Sequence, residues 1–294
     1  MKTTIDTDIA TLVTHSYGKR NINVLVRIES TSGTTFKEMS ISVELSGGFD
    51  SAYSSGDNSE VLPTDSLKAH VLALLENQRN LSLEDFGRTL LDRICQSATT
   101  AKQAKCILSE RSWHPDVTEH VQYKNSAFTA TQPNGKVLVT RLGTDSYVFG
   151  GEMNLNTLRP SESSFIGFMK DRYTRQKDVF ERSLIGDLNC RWTYSVLPSD
   201  TDKSRSLVRE VLQGGFANVS SRSVQETLHG MAVLLLNEVK DIDEVNLEFE
   251  SIALKEHDGP NTPGSDVGVW LLSETAPSFT TAKLTRKVQQ ELNR

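Results

Sequence analysis

Alternation of apolar and polar residues constrains this chain most, because a period of two commits a segment to a strand with one buried face. It begins at "NINVLVRIES", where Ile22, Val24 and Val26 share a face, and resumes at "EMSISVELSGGF" with Met39, Ile41, Val43 and Leu45. The two runs, joined by "TSGTT", predict a hairpin. The period then lengthens: "DSLKAHVLALLENQ" and "SLEDFGRTLLDRICQSA" carry apolar residues at helical spacing, the second opened by Ser82 as a cap with acids behind it. The same order recurs. "AKCILSERSWH", "SAFTATQP" and "KVLVTRLG" read as strands, with "QPNG" as the turn between the last two, and "SSFIGFMKDRY" and "DVFERSLIGDLNCRWTYSV" read as helix and then strand. In a third round "SRSLVREVLQGGFANV" and "SVQETLHGMAVLLLNEV" are helices and "EVNLEFESIAL" is a strand with Val245, Leu247 and Phe249 on one face. The whole predicts an α+β fold, an antiparallel sheet with helices on one side. "HDGPNTPGSDVG" lies too near the end to divide domains and reads as a loop.

A chain of 294 residues that is 37% apolar can bury a real core as one large domain or two ordinary ones. No window approaches the roughly 18 apolar residues of a membrane span, and "MKTTIDTDIATLVTHS" lacks the order of a secretion signal, so the reading is cytoplasmic with no membrane partner. A net charge of −6 without a long basic block argues against nucleic acid. The interleaved "MKDRYTRQKDVFER" has the look of a helix surface. Cys95, Cys106 and Cys190 lack metal-ligand spacing and read as buried small apolar residues. The six histidines show no H-x-x-H or H-E-x-x-H, and no G-x-G-x-x-G, P-loop or G-x-S-x-G is present. Only a metal site from distant residues stays open.

Four blocks give the chain a sharper reading. "YGK" at Tyr17 to Lys19 leads into a strand, and "DNSEVLPTDSLK" spans Asp57 to Lys68. "SSFIGFMKDRYT" with "FER" at Phe180 to Arg182, and "SVQETLHGMA" at Ser223 to Ala232, follow in order. Together they resemble the urate oxidase (uricase) family. The resemblance implies two tandem tunnelling-fold units, here 1–145 and 146–294, that assemble as a homotetramer around a β-barrel tunnel. It implies oxidation of urate or a close oxopurine by O2 with H2O2 release, without metal or flavin. The site lies between subunits, with Lys19 and Thr64 from one chain and Phe165, Arg182, Val224 and Gln225 from its neighbour; Asp65 joins the catalytic set, and Gln176 and Ser251 the substrate-binding one.

The side chains suit that chemistry. Phe165 can stack on a planar ring, and the Arg182 guanidinium can fork onto a carbonyl and an anionic ring nitrogen. Gln225 offers both a donor and an acceptor. Lys19, if partly desolvated, could take the proton of Thr64, which would accept one from the substrate. Asp65 could orient the lysine or threonine or cap the following helix, and Asp57 and Asn58 form the turn before it. Each has a plainer reading: Thr64 and Asp65 as an ordinary helix start, Phe165 as core, Arg182 as one face of a charged helix.

The match fails near the end. Read without a gap from Val245, Ser251 falls where the family has asparagine and Ala253 where it has histidine; His257 could substitute only across a bulge. Gln176 stands where the family carries an apolar residue, and "GVWLLSETAP" replaces another of its segments. An oxidase of a different heterocycle and a lapsed purine-binding protein are therefore the alternatives.

Overall fold

The computed structural model describes residues 9–31, 33–77, 81–115, 127–133, 135–256, 270–272 and 276–287. The predicted hairpin is present as β1 (Ser16–Ser30) and β2 (Gly33–Ser46), antiparallel from Ser16↔Ser46 to Ser30↔Gly33. Met39, Ile41, Val43 and Leu45 are buried, as their alternation requires. A five-residue helix, α1 (Asp50–Ser54), precedes α2 (Thr64–Asn77) and α3 (Leu83–Ser97). Ser82 caps α3, its Oγ accepting from the Asp85 amide at 3.1 Å. Leu67, Val71 and Leu74 of α2 and Phe86, Leu90, Leu91 and Ile94 of α3 share one core with the buried face of β2. Each fully buried leucine or isoleucine stabilises by about 1.5–3 kcal/mol relative to exposure. β3 (Gln103–Pro115) pairs with β2, the short β4 (Phe128–Ala130) and β5 (Lys136–Leu142).

The chain clusters into two compact units, Met1–Gly151 and Glu152–Arg294, the boundary falling within β6 (Ser146–Phe165). In the first unit α2 packs on β1 and α3 on β3 and β5. The second repeats the order: β7 (Val179–Tyr194), α4 (Thr201–Asn218), α5 (Val224–Glu238) and β8 (Ile242–Ser251), then β9 (Leu254–Glu256), β10 (Trp270–Leu272) and β11 (Ser278–Thr285). Its sheet runs β6-β7-β8-β11, α5 packs on β8 and β11, and Val245, Leu247 and Phe249 are buried. The fold is α+β and antiparallel, with an outermost strand at β1 in the first unit and β11 in the second, so the sheet is not closed. All three cysteines are buried and free, and burial pushes each thiol's pKa up.

The predicted helix over "SSFIGFMKDRY" is a correction: its first residues end β6, and residues 166–178 form an irregular loop. Gly167 sits at φ +70°, and Asp171 Oδ1 accepts from the Tyr173 amide at 3.0 Å and the Thr174 hydroxyl at 2.7 Å. These local bonds compete with helical ones, and Ile166 and Met169 are exposed, so no apolar stripe reaches the core. The "MKDRYTRQKDVFER" stretch is accordingly this loop running into β7, not a helix surface.

Gly214 lies exposed inside α4, and a Cβ there would meet nothing within 4 Å. Gly214→Ala is expected to stabilise by about 1 kcal/mol, and Leu90→Ala to destabilise by about 2–5 kcal/mol. Thermal unfolding midpoints should move up and down respectively.

Candidate active site

Lys19 owes its position to one extra residue. Lys19 pairs with Val43 and Ile22 with Ile41, so three steps along β1 match two along β2. A bulge of this kind shifts the alternation by one. Tyr17, Ile22, Val24 and Val26 all belong to the core on the helix side, and Lys19 has the parity of Tyr17. Without the bulge, Lys19 and Ile22 would face opposite sides of the sheet. Asn21 carries the bulge at φ 54°, its amide donating to Ser42 Oγ at 3.0 Å. Asn tolerates this left-handed conformation better than most residues.

On the helix side Lys19 meets the start of α2. Its Nζ donates to Asp65 Oδ1 at 2.5 Å, with the lysine side chain 32% exposed and the aspartate 90%. An ion pair this open is screened by solvent and stabilises little, so its consequence is placement. Of the three roles open to Asp65, the structure shows it bonded to the lysine. Thr64, the neighbour of Asp65, is the exposed first residue of α2, and its hydroxyl has no hydrogen-bond partner among the described residues. The turn before it is as expected: Asp57 Oδ1 accepts from the Ser59 amide at 2.9 Å, and Asn58 O from the Val61 amide at 3.0 Å. The hydrogen bond from Lys19 holds the Asp65 carboxyl below its ordinary range.

The second unit gathers a different set. Phe165 ends β6, and Phe168 stacks on it at 4.8 Å between centroids with 6° between planes. The Arg182 guanidinium, near the start of β7, lies 5.3 Å from the Phe165 centroid, and its Nε donates to Ser163 Oγ at 3.3 Å. Burial pulls the Arg182 pKa down, yet no carboxylate pairs with it among the described residues. A desolvated cation without a counter-ion is unfavourable until an anion arrives.

Val224 and Gln225 open α5, whose first N–H groups have no intrahelical acceptor. Ser223 caps the helix, accepting from the Glu226 amide at 3.1 Å. The Ser164 amide donates to the Ser221 carbonyl at 2.8 Å, which ties this helix start to the residue before Phe165. Gln176 and Ser251 are not bonded to Arg182. The Gln176 side chain donates to the Lys177 carbonyl at 3.0 Å, and the Ser251 hydroxyl, at the end of β8, to the Ser278 carbonyl at 3.1 Å. Ala253 is exposed, and His257 lies outside the described residues. Ser163 was not legible as a partner of Arg182, since a serine in a polar stretch carries no signal of what it will touch.

A family profile described as Uricase matches residues 148–269, which span Phe165, Gln176, Arg182, Val224, Gln225 and Ser251. The uricases of Dictyostelium discoideum and Oryctolagus cuniculus are each 28% identical, over 245 and 264 residues. These alignments cover 82% and 86% of this chain and 85% and 86% of the relatives. The crystal structure of uricase from Arthrobacter globiformis superposes with a TM-score of 0.83 at 21% identity, covering 95% of this chain and 96% of that one.

The chain is similar to uricases over most of its length.

Lys19, Thr64 and Asp65 lie outside the profile match. Because the Asp65 pKa is lowered in the folded state, its contribution to stability is present above the unfolded carboxylate value and fades as pH falls through the folded one. Lys19→Ala should raise the Asp65 carboxyl toward the ordinary carboxylate range. A carbon-detected NMR titration of the Asp65 side chain reads that rise.

Proposed function

We propose that this chain is a urate oxidase, using O2 to oxidise urate or a closely related oxopurine and releasing H2O2 without metal or flavin. The observation that carries the reading is Arg182: a guanidinium beside the Phe165 ring, desolvated, and without a carboxylate among the described residues. A flat anion satisfies both demands, stacking on the ring while its carbonyl and anionic nitrogen accept from the fork. Gln225 and the free amides at the α5 start supply further donors along the same edge. Urate is such an anion at neutral pH, and uricases are the relatives this chain matches.

In the proposed relay Lys19 first gives its extra proton to solvent, and the Thr64 hydroxyl then accepts the substrate's ring proton while passing its own to the neutral Lys19 amine. The resulting ammonium is stabilised by Asp65 in the geometry described above. The doubly deprotonated ring gives two electrons to O2, water adds to the carbon that lost them, and the reduced O2 leaves as H2O2 with one proton returned from Lys19 through Thr64 and one released by the added water.

We assign the two half-sites to different chains of a homotetramer, Lys19, Thr64 and Asp65 from one chain and the Arg182 clamp, with Gln176 and Ser251 beside it, from the next. The open edge of the 15-residue β1 and the exposed Trp270, Leu271, Leu272 and Phe279 support burial against further copies. Among the described residues no helix is long and apolar enough to cross a membrane, and the proposed setting is cytoplasmic.

The test mixes metal-stripped protein with urate in air and follows near-ultraviolet absorbance and peroxide together. Loss of absorbance with stoichiometric peroxide is the expected result. Saturable urate binding with no turnover would move the assignment to another ring. Thr64→Ala should lower kcat by about 100-fold or more and leave urate affinity within about threefold; unchanged turnover would remove the relay.

A further inference from the structure

Behind the clamp lies a line of buried hydroxyls. Ser163, Ser221 and Thr227 are 1%, 5% and 1% exposed. Ser163 Oγ lies 2.9 Å from Ser221 Oγ, which lies 2.8 Å from Thr227 Oγ1, which lies 3.0 Å from the Ser223 carbonyl oxygen. The near end is Arg182 Nε, 3.3 Å from Ser163 Oγ. Three elements contribute: Ser163 is on β6, Arg182 on β7 and Thr227 on α5, while Ser221 and the helix cap Ser223 precede α5.

The bonds converge on Ser163. A guanidinium only donates and a carbonyl only accepts, while a hydroxyl can do both. Thr227 donates toward Ser221 and the Ser223 carbonyl, and Ser221 donates to Ser163. The Ser163 oxygen accepts from both Ser221 and Arg182 Nε. Each of the three buried hydroxyls therefore has a partner in the core.

We infer that Ser163, Ser221 and Thr227 are positioning residues that lock the Arg182 guanidinium through Nε, so that an anion must be held by its two terminal nitrogens. The inference rests on the reading of Arg182 as a substrate clamp. Fixing Nε removes one edge of the guanidinium from substrate contact and leaves the end-on fork, which restricts how a planar anion can be turned in the site. It also ties the guanidinium to the α5 start, so that Arg182, Val224 and Gln225 move as one body. A pre-positioned fork loses less freedom on binding than a free arginine.

The test uses Ser163→Ala, Thr227→Val and Thr227→Ser. Thr227 is two hydroxyls removed from the guanidinium, and valine keeps its shape while deleting the hydroxyl. In ligand-free protein, the Arg182 Nε–H resonance should lose protection from solvent exchange in Ser163→Ala and Thr227→Val and keep it in Thr227→Ser. For urate, KM should rise by about tenfold or more in the first two, with kcat changed less, and Thr227→Ser should restore it. An Nε–H signal unchanged in Thr227→Val, or equally altered in Thr227→Ser, overturns the inference. Should Ser163→Ala fail to fold, the Thr227 pair decides alone. Because the Nε–H reading needs no ligand, it supports or overturns the line of hydroxyls even if urate proves not to be the substrate.

Discussion

Side chains on a strand alternate between faces, so a single residue decides which side of a sheet a functional group occupies. In this chain that constraint acts at Asn21. The β1 bulge keeps Tyr17 and Lys19 on the same side as Ile22, Val24 and Val26, and it is only from that side that the lysine can reach Asp65. The core and the Lys19–Asp65 contact depend on the same register. A one-residue slip would turn either the apolar residues or the lysine away from the helices.

The second unit holds a different feature, a cation kept partly out of water. Arg182 is not neutralised by a carboxylate among the described residues; its Nε is satisfied by neutral hydroxyls, which leaves its charge for an incoming group. Contrast Arg159, buried to 7% exposure, which spends its donors on the carbonyls of Ser161, Glu162, Phe216 and Val219. Arg286 similarly closes the end of α5 through Leu236, Val239 and Ile242. Those arginines hold the fold together, and Arg182 is left with free donors.

Much of this was legible in the sequence wherever local pattern and tertiary burial agree. β2 and β8 carry clean alternation, and α3 begins at the cap expected of Ser82. β6 was not legible: its twenty residues include Pro160, two glycines and several serines and asparagines, and Glu162 adopts φ 60°. The false helix after it has a physical origin. Phe165, Phe168 and Met169 stand at i, i+3 and i+4, a helical spacing, yet the two rings stack on each other and Met169 is exposed. The proposed role of Arg182 was legible only through the family resemblance, since nothing local distinguishes Arg182 from a surface arginine. The hydroxyls behind it come from β6 and the start of α5, and no sequence pattern brings them together.

The central claim is that each site is completed by two chains. Lys19→Ala and Arg182→Ala proteins, each expected to be inactive on urate alone, would be co-assembled into mixed oligomers. Shared sites predict recovery of about a quarter of wild-type turnover at random equal mixing, because that fraction of sites draws an intact lysine from one chain and an intact arginine from the other. Mixed oligomers that form but show no recovery would contradict it.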